Sequence, residues 1–367
     1  MGSSHSALNF GAGPAKLPRE VLTEVQNEFL SYKDSGMSLI EMSHRSKEYE
    51  AINNSAQQLV RELLNVPPNY KILFMQGGGL GCFSAICMNL MGRTGEADYL
   101  VTGTWSSIAA KEAAKYGKVN MVFPRPETRS IPHPRTWKLS ENASFVFYCD
   151  NETVDAYCFN FRSFFLIPVI YKLIVNSVLA MSSSFQYGII FAGAQKNIGP
   201  SGVVLVIVRE DLLGNASKYC PTVFDFAHIS KNNSVHHTPT TFSVYVMEKV
   251  LQWIKRCGGV DKMAQNSHDK STTLYNAITN SNNFYVCPIE ESCRSRINIP
   301  FRVGGANGDD ALESKFLEEA EKLRMYQLKG HRSVGGIRAS LYNATSVEDV
   351  KLLVQFMEEF RKQHGPK

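Results

Sequence analysis

Lys196 stands in a stretch with few charges, "GIIFAGAQKNIGPSGVVLVIVRE", between an apolar run and a cluster of glycines. A solvated, protonated lysine is no nucleophile; apolar burial favours the neutral amine and lowers its pKa. Gly193, Ala194 and Gly199 leave room beside it for a flat ligand. A surface lysine in a loop between two strands would have the same residue type, so Lys196 alone leaves both readings open. A second feature is "QGGGLGCFSA", residues 76–85. Consecutive glycines between a strand and a helix let backbone N–H groups face an anion at the helix N-terminus. No G-K-[ST] follows and the spacing is not G-x-G-x-x-G, which excludes the P-loop and the dinucleotide fingerprint and leaves a plain tight turn as the alternative. A third is Trp105 in "LVTGTWSS", an indole in a loop after a strand, or else ordinary core.

Combined, an anion cup, an amine nucleophile and an aromatic face describe a pyridoxal phosphate site. Two further segments carry cations: "SHRS" with His44 and Arg45, and "KGHRSVGGIR" with His331, Arg332 and Arg338. Guanidinium forks grip carboxylates and phosphates bidentately, although a lone arginine is usually a solvated surface ion pair.

With these residues in view, the sequence resembles the phosphoserine aminotransferases, which are fold-type I pyridoxal phosphate enzymes. The resemblance runs along nearly the whole chain, through "NFGAGPAKLP", "EMSHRSKEYEAI", "FMQGGGLGCFSA", "ADYLVTGTWS", "NETV", "GAQKNIGPSG", "TPTTFSVYVM" and "LKGHRSVGGIRASLYNA". It implies that Lys196 forms the internal aldimine with Gln195 beside it. Gly79 and Leu80 would give N–H groups to the phosphate, Trp105 would stack on the ring, and Thr153 would bond its phenolic oxygen. Thr238, next to His237, would reach the phosphate of the neighbouring subunit's cofactor, so a homodimer is implied. Arg338 would hold the substrate α-carboxylate, and His44, Arg45, His331 and Arg332 the phosphate or side-chain carboxylate. The implied activity is ping-pong exchange of phosphoserine and 2-oxoglutarate with 3-phosphohydroxypyruvate and glutamate, in serine biosynthesis.

The elements that must position these residues follow from periodicity. "YKILFMQGGG", "ADYLVTG", "KVNMVFP", "SFVFYCD", "GIIFAG" and "GVVLVIVRE" read as strands. "LPREVLTEVQNEFLSYKDSG", with Val21, Leu22, Val25 and Phe29 at helical spacing, and "SKEYEAINNSAQQLVRELLNV" read as amphipathic helices. Strands alternating with helices predict a largely parallel sheet covered on both faces. After about residue 240 come the helices "SVYVMEKVLQWIKRCGG", "DALESKFLEEAEKLRM" and "SVEDVKLLVQFMEEFRKQ" around the strand "SRINIPFRV". The expected organisation is an α/β, fold-type I architecture. Residues 1–260 form a large cofactor domain with a mostly parallel, seven-stranded type of sheet. Residues 261–367 form a small α+β domain, against which the first 15 or so residues pack.

The chain has 367 residues, 44% hydrophobic and 20% charged, with a formal net charge of +5. This mild balance, without runs of like charge, predicts no nucleic-acid surface and suits small anionic substrates. The eight cysteines lack C-x-x-C or metal-ligand spacing and read as reduced cytosolic thiols, with no metal expected. "MGSSHS" fits the myristoylation pattern, but that pattern is short and common, and a plain flexible terminus is the preferred reading. The greasiest run, "FRSFFLIPVIYKLIVNSVLAM", is broken by Arg162, Pro168, Lys172 and Asn176, and so no membrane span is expected.

Some positions depart from the family pattern. The acidic partner of the ring nitrogen is expected just before an "MSS"-like stretch, and here "VLAMSSSF" places Ala180 there. A buried cation without its partner costs about 3–5 kcal/mol, which in full would slow turnover by roughly 10²–10³-fold or more. A catalytically impaired relative that binds cofactor or dimerises is therefore the alternative. Residues 155–187 differ wholesale, as a divergent paralogue, a splice form or a mis-joined gene model would. His237 replaces an asparagine, which predicts weaker phosphate binding, and Cys82 replaces a glutamine in the glycine-loop helix.

Overall fold

The computed structural model describes residues 7–124, 126, 130–159, 172–175 and 187–366. Ala180 and most of the atypical 155–187 segment lie outside the described residues. The chain runs β1 (Leu8–Asn9), α1 (Arg19–Glu28), α2 (Lys47–Leu64), β2 (Tyr70–Met75), α3 (Gly78–Leu90), β3 (Glu96–Leu100), α4 (Thr104–Ala113), β4 (Lys118–Met121) and β5 (Val146–Cys149). It continues through β6 (Lys172–Val175), β7 (Ile189–Gly193), β8 (Val204–Arg209), α5 (Phe226–Lys231), α6 (Thr241–Arg256) and α7 (Gly259–Thr279). Last come β9 (Tyr285–Val286), β10 (Asn298–Val303), α8 (Asp310–Lys322), β11 (Met325–Tyr326), β12 (Ile337–Ser340) and α9 (Val347–His364).

Seven strands form one sheet in the order β2-β8-β7-β6-β5-β3-β4. The pairs from β7 to β4 are parallel, and β8 is antiparallel to both β7 and β2. Because only β8 is reversed, β2 still points the same way as β7. The C-terminal ends of β2, β3, β5 and β7 therefore share one sheet edge, where ligands collect in α/β folds.

Strand alternation sorts the core. Leu205 and Ile207 of β8 face a cluster with Ile190, Ala192, α2 and α6, including Tyr49, Ile52, Val244 and Met247. Val204, Val206 and Val208 face the opposite cluster with Phe147, Phe191 and the inner faces of α3 and α4. Covered on both faces, β7 and β8 read as nearly unbroken apolar runs.

A third cluster joins Leu8 and Phe10 to Phe301, Phe316, Ile337, Leu353 and Phe360. Here β10 pairs antiparallel with β9 and β12, and β1 pairs in parallel with β11. Helix α7 was missed in the sequence because its 21 residues carry few apolar positions and bury Lys270 and Ser271 alongside Met263, Leu274 and Ile278. Its N-terminal Met263 belongs to the first cluster, and Leu274 and Ile278 to the third. Helix α1 is shorter than the pattern suggested, ending at Glu28, with Val21 and Val25 buried and Leu22 exposed. Among the described residues no helix is long and apolar enough to cross a membrane.

Candidate active site

Lys196 sits in the turn between β7 and β8, just past the C-terminal end of β7. Both flanks of the turn are tied down. Gln195 O accepts the N–H of Ala15 at 2.8 Å, and Asn197 accepts from Asn343, through Oδ1 from the backbone N–H at 3.0 Å and through its carbonyl from Nδ2 at 3.3 Å. The Lys196 side chain is half-buried, and its amine is surrounded by protein. Among the described residues that amine has no hydrogen-bond or ion-pair partner. Desolvation draws its pKa down to about 8; Cys149 and Glu152 oppose the shift and the nearby Arg338 guanidinium adds to it. These couplings place Lys196, Cys149, Glu152 and Arg338 in one neighbourhood.

The loop after β5 and the helix after β3 are locked together by carboxylates. Glu152 is fully buried. Its Oε2 accepts the N–H of Trp105 at 2.9 Å, and its Oε1 accepts from Ser106, from the N–H at 2.8 Å and from the hydroxyl at 2.5 Å. Asp155 Oδ2 accepts the N–H of Thr104 at 2.6 Å. The first turn of α4 thus has its free N–H groups satisfied from another strand end. Gly103 permits the approach: a Cβ there would lie 2.7 Å from both Asp155 Oδ2 and Glu152 Cδ. Desolvation raises the Glu152 pKa against the bonds from Ser106 and Trp105. Helix α4 in turn fixes Trp105, whose Nε1–H donates to Thr153 Oγ1 at 2.9 Å, leaving the hydroxyl proton of Thr153 free to be donated. Arg338, on β12, donates from Nη1 to Thr153 O at 3.0 Å, while its buried Nε has no partner. Burial also lowers the Arg338 pKa.

The glycine turn closes the set. Gly77 and Gly78 both have positive φ, 99° and 63°, which folds the chain from β2 directly into α3. The first bond of the helix runs from Gly81 N–H to Gly77 O at 3.0 Å, so the N–H groups of Gly78, Gly79 and Leu80 precede the ladder. No side chain caps this end, and a Cβ on Gly78 or Gly79 would meet nothing within 4 Å. Nearby in sequence, the buried Nε2 of Gln76 is unpartnered. An uncapped helix N-terminus with open space in front of it can take an anion.

The family model described as Aminotransferase class-V matches residues 7–353. The chain belongs to the class-V aminotransferase family. A relative from Drosophila melanogaster named phosphoserine aminotransferase is 52% identical over 366 residues, covering 97% of this chain and 99% of the relative. Among solved structures, a phosphoserine aminotransferase from Bacillus circulans subsp. alkalophilus superposes with a TM-score of 0.92 at 40% identity, over 99% of this chain and 100% of that one. A structure titled as PLP-bound phosphoserine aminotransferase from Trichomonas vaginalis gives a TM-score of 0.90 at 39% identity, over 96% and 100%.

Within this class-V framework, four of the residues singled out in sequence come together: Trp105 and Arg338 both bond Thr153, and Lys196 is electrostatically coupled to Arg338. Gln195 flanks Lys196, and Gly79 and Leu80 occupy the same sheet edge. His44 and Arg45 lie in the turn before α2, with the Arg45 N–H bonded to Ser43 Oγ. His331 and Arg332 lie in the turn before β12, where His331 Nδ1 is 2.7 Å from Ser333 Oγ. His237 Nδ1 lies 3.1 Å from its neighbour's carbonyl, that of Thr238. Among the described residues no hydrogen bond joins these last six to the Lys196 group within the chain. Cys82 faces the core from α3 with its thiol pushed up to about 12 by burial, so that substitution falls on packing and not on the anion cup.

Sequence reading missed Glu152, Asn197 and Asn343, and it did not foresee that Asp155 bonds the start of α4. The legible signal for Glu152 was an acid just beyond an apolar strand with no cation nearby. Glu152→Ala is expected to lower stability by about 3 kcal/mol, because it strands buried N–H groups at the start of α4. Glu152→Gln, which keeps an acceptor oxygen, should cost less. Urea melts of the two variants check the order, and an unchanged midpoint for Glu152→Ala would contradict the capping role.

Proposed function

We propose that this chain is a pyridoxal-phosphate-dependent aminotransferase of serine biosynthesis. It would exchange phosphoserine and 2-oxoglutarate with 3-phosphohydroxypyruvate and glutamate. The observation that carries the reading is the desolvated, unpartnered Lys196 amine, on the same sheet edge as an uncapped glycine N-terminus and beside a guanidinium with spare donors. The relatives matched end to end carry the same activity in their names. The impaired reading raised by Ala180 finds no support in these comparisons. Purified chain given pyridoxal phosphate, phosphoserine and 2-oxoglutarate should form glutamate, and no glutamate above a cofactor-only control would overturn the proposal.

The residues present fit the cofactor. The open space before Gly78 and Gly79 admits a phosphate, and the Lys196 amine and the Thr153 hydroxyl have unused bonding capacity. The N–H groups at Gly79 and Leu80 would hold the phosphate, Trp105 the ring face, and Thr153 the phenolic oxygen. Gln195 would border the linkage, and His237 and Thr238 would reach the phosphate bound by a second subunit. When bound, pyridoxal phosphate supplies an electrophilic carbonyl and a ring that takes up an electron pair from Cα.

Lys196 serves first as the nucleophile that anchors the cofactor. Its Nζ would be the base that takes the proton from the substrate Cα and hands it to the carbonyl carbon the cofactor supplies, so that the nitrogen stays behind when the keto acid leaves. Arg338 orients the α-carboxylate, held in place by its bond to Thr153 O. His44, Arg45, His331 and Arg332 would receive the phosphate of one substrate and the distal carboxylate of the other. The turns on which they lie are suited to groups that must serve two anions of different shape.

Homodimeric assembly belongs to the same proposal. Exposed Leu80 lies in the glycine turn, and Phe224, next to exposed Val223, packs 3.6 to 3.7 Å from the Cβ positions of Gly77 and Gly81. An apolar rim of this kind fits a second copy better than water. We also place the domain division near residue 260, within α7, and the protein in the cytoplasm, where its eight free thiols stay reduced.

The Lys196 pKa of about 8 sets a pH expectation. The neutral amine is the reactive form, so its fraction grows as pH rises. Capture of pyridoxal phosphate by cofactor-free protein, followed by absorbance, should accelerate through about pH 8 and level off above it. A rate independent of pH between 7 and 9 would rule out titration of this amine as the control, since ~1 unit on either side spans a tenfold change in each form.

A further inference from the structure

Lys270 lies on α7, its ammonium bonded to none of the residues proposed to touch cofactor or substrate, and is 2% exposed. A buried lysine carries a large desolvation cost unless its charge is used. Here all three N–H bonds are used: Nζ donates to Leu341 O at 3.0 Å, Tyr342 O at 2.7 Å and Thr345 O at 2.8 Å. Only the ammonium form has three donors for three carbonyls. Burial pulls its pKa down to about 8, opposed by Asp349 and reinforced by Lys16.

The turn that Lys270 gathers, between β12 and α9, reaches both flanks of Lys196. Asn343 lies inside it and grips Asn197 by two hydrogen bonds. Tyr342 donates its hydroxyl to Ala12 O at 2.9 Å, and Asp349, in the first turn of α9, pairs with Lys16 at 2.5 Å. Residues 12 to 16 form the strap whose Ala15 N–H bonds Gln195 O. Two separate routes therefore run from this turn to the residues either side of the cofactor lysine.

We propose that Lys270 is a positioning residue for Lys196: its ammonium shapes the 341–345 turn, from which Asn343 and the 12–16 strap hold the Lys196 segment in register. The inference rests on the reading of Lys196 as the cofactor lysine, and it names a residue that touches neither cofactor nor substrate. An ordinary core lysine would stabilise α7 against the turn without affecting residues 194–199 in particular. A positioning lysine shares its effect with Asn343, because both act through the same turn.

The test uses Lys270→Met, Asn343→Ala and the double variant, with two readouts: hydrogen exchange of residues 194–199 in cofactor-free protein, and the dissociation constant for pyridoxal phosphate. Each single variant should speed exchange of 194–199 and weaken cofactor binding by about tenfold, the equivalent of one well-placed hydrogen bond. The double variant should be no worse than the worse single, within about threefold, since interacting residues are non-additive. Multiplying losses would show that Lys270 acts elsewhere and overturn the proposal. If Lys270→Met does not fold, Asn343→Ala decides: unchanged exchange and unchanged affinity overturn it, and local loosening of 194–199 supports it. Should wild-type protein fail to bind pyridoxal phosphate, the functional reading falls, while the exchange measurement still tests the link from Lys270 to the Lys196 segment.

Discussion

Lys196→Ala should abolish turnover, with kcat falling by at least about 10⁴-fold, more than 5 kcal/mol of barrier. On the proposed function, two roles would be lost with one side chain: the covalent attachment of the cofactor and the base that moves the α-proton. Among the described residues no neighbour is placed to replace it. Cys149 is electrostatically coupled to Lys196, but burial holds its thiol pKa well above the ordinary value. Glu152 is occupied at the start of α4. Stability should stay level or rise, because a desolvated amine without a hydrogen bond adds nothing to the fold. Steady-state glutamate formation and thermal melts check both halves. Borohydride reduction with mass spectrometry should mark Lys196 in the parent and no lysine in the variant. Activity above about one part in a hundred would mean that another group does the chemistry.

Arg338→Lys is expected to cut kcat/KM by about 10²–10³-fold, or 3–4 kcal/mol. The guanidinium spends Nη1 on Thr153 O and keeps a buried, unpartnered Nε. This leaves a planar donor edge suited to a carboxylate, which an ammonium cannot present. Phosphoserine and 2-oxoglutarate both carry a carboxylate next to the reacting carbon, so the loss should be nearly equal in the two half-reactions. Replacing Arg332, by contrast, should unbalance them, because the distal groups of the two substrates differ. Single-turnover kinetics with each substrate separates these cases. A loss confined to phosphoserine would move Arg338 from the α-carboxylate to the phosphate.

Part of this was legible in sequence for simple reasons. Lysine in an apolar, glycine-flanked turn is costly unless used, and consecutive glycines before a helix are open to few uses, so both announce a site. The alternation that turns Leu205 and Ile207 to one face and Val204, Val206 and Val208 to the other is likewise local. The reversed β8 was not legible, since a fully buried strand reads as an apolar run in either direction. Nor was α7, whose buried Lys270 interrupts the apolar stripe that marks a helix.

By itself, then, the sequence determined the chemistry available at each position: which amine, which indole, which guanidinium, and the strand-and-glycine rhythm that makes a covered sheet. Tertiary structure alone decided which of these groups meet. The strand order brings residues 77, 105, 153 and 196 to one edge, and β12 delivers Arg338 from more than a hundred residues away. Glu152, Asn343 and Lys270 acquire their roles only there. A carboxylate, an amide or an ammonium has no fixed function until folding removes water and leaves it with particular donors or acceptors.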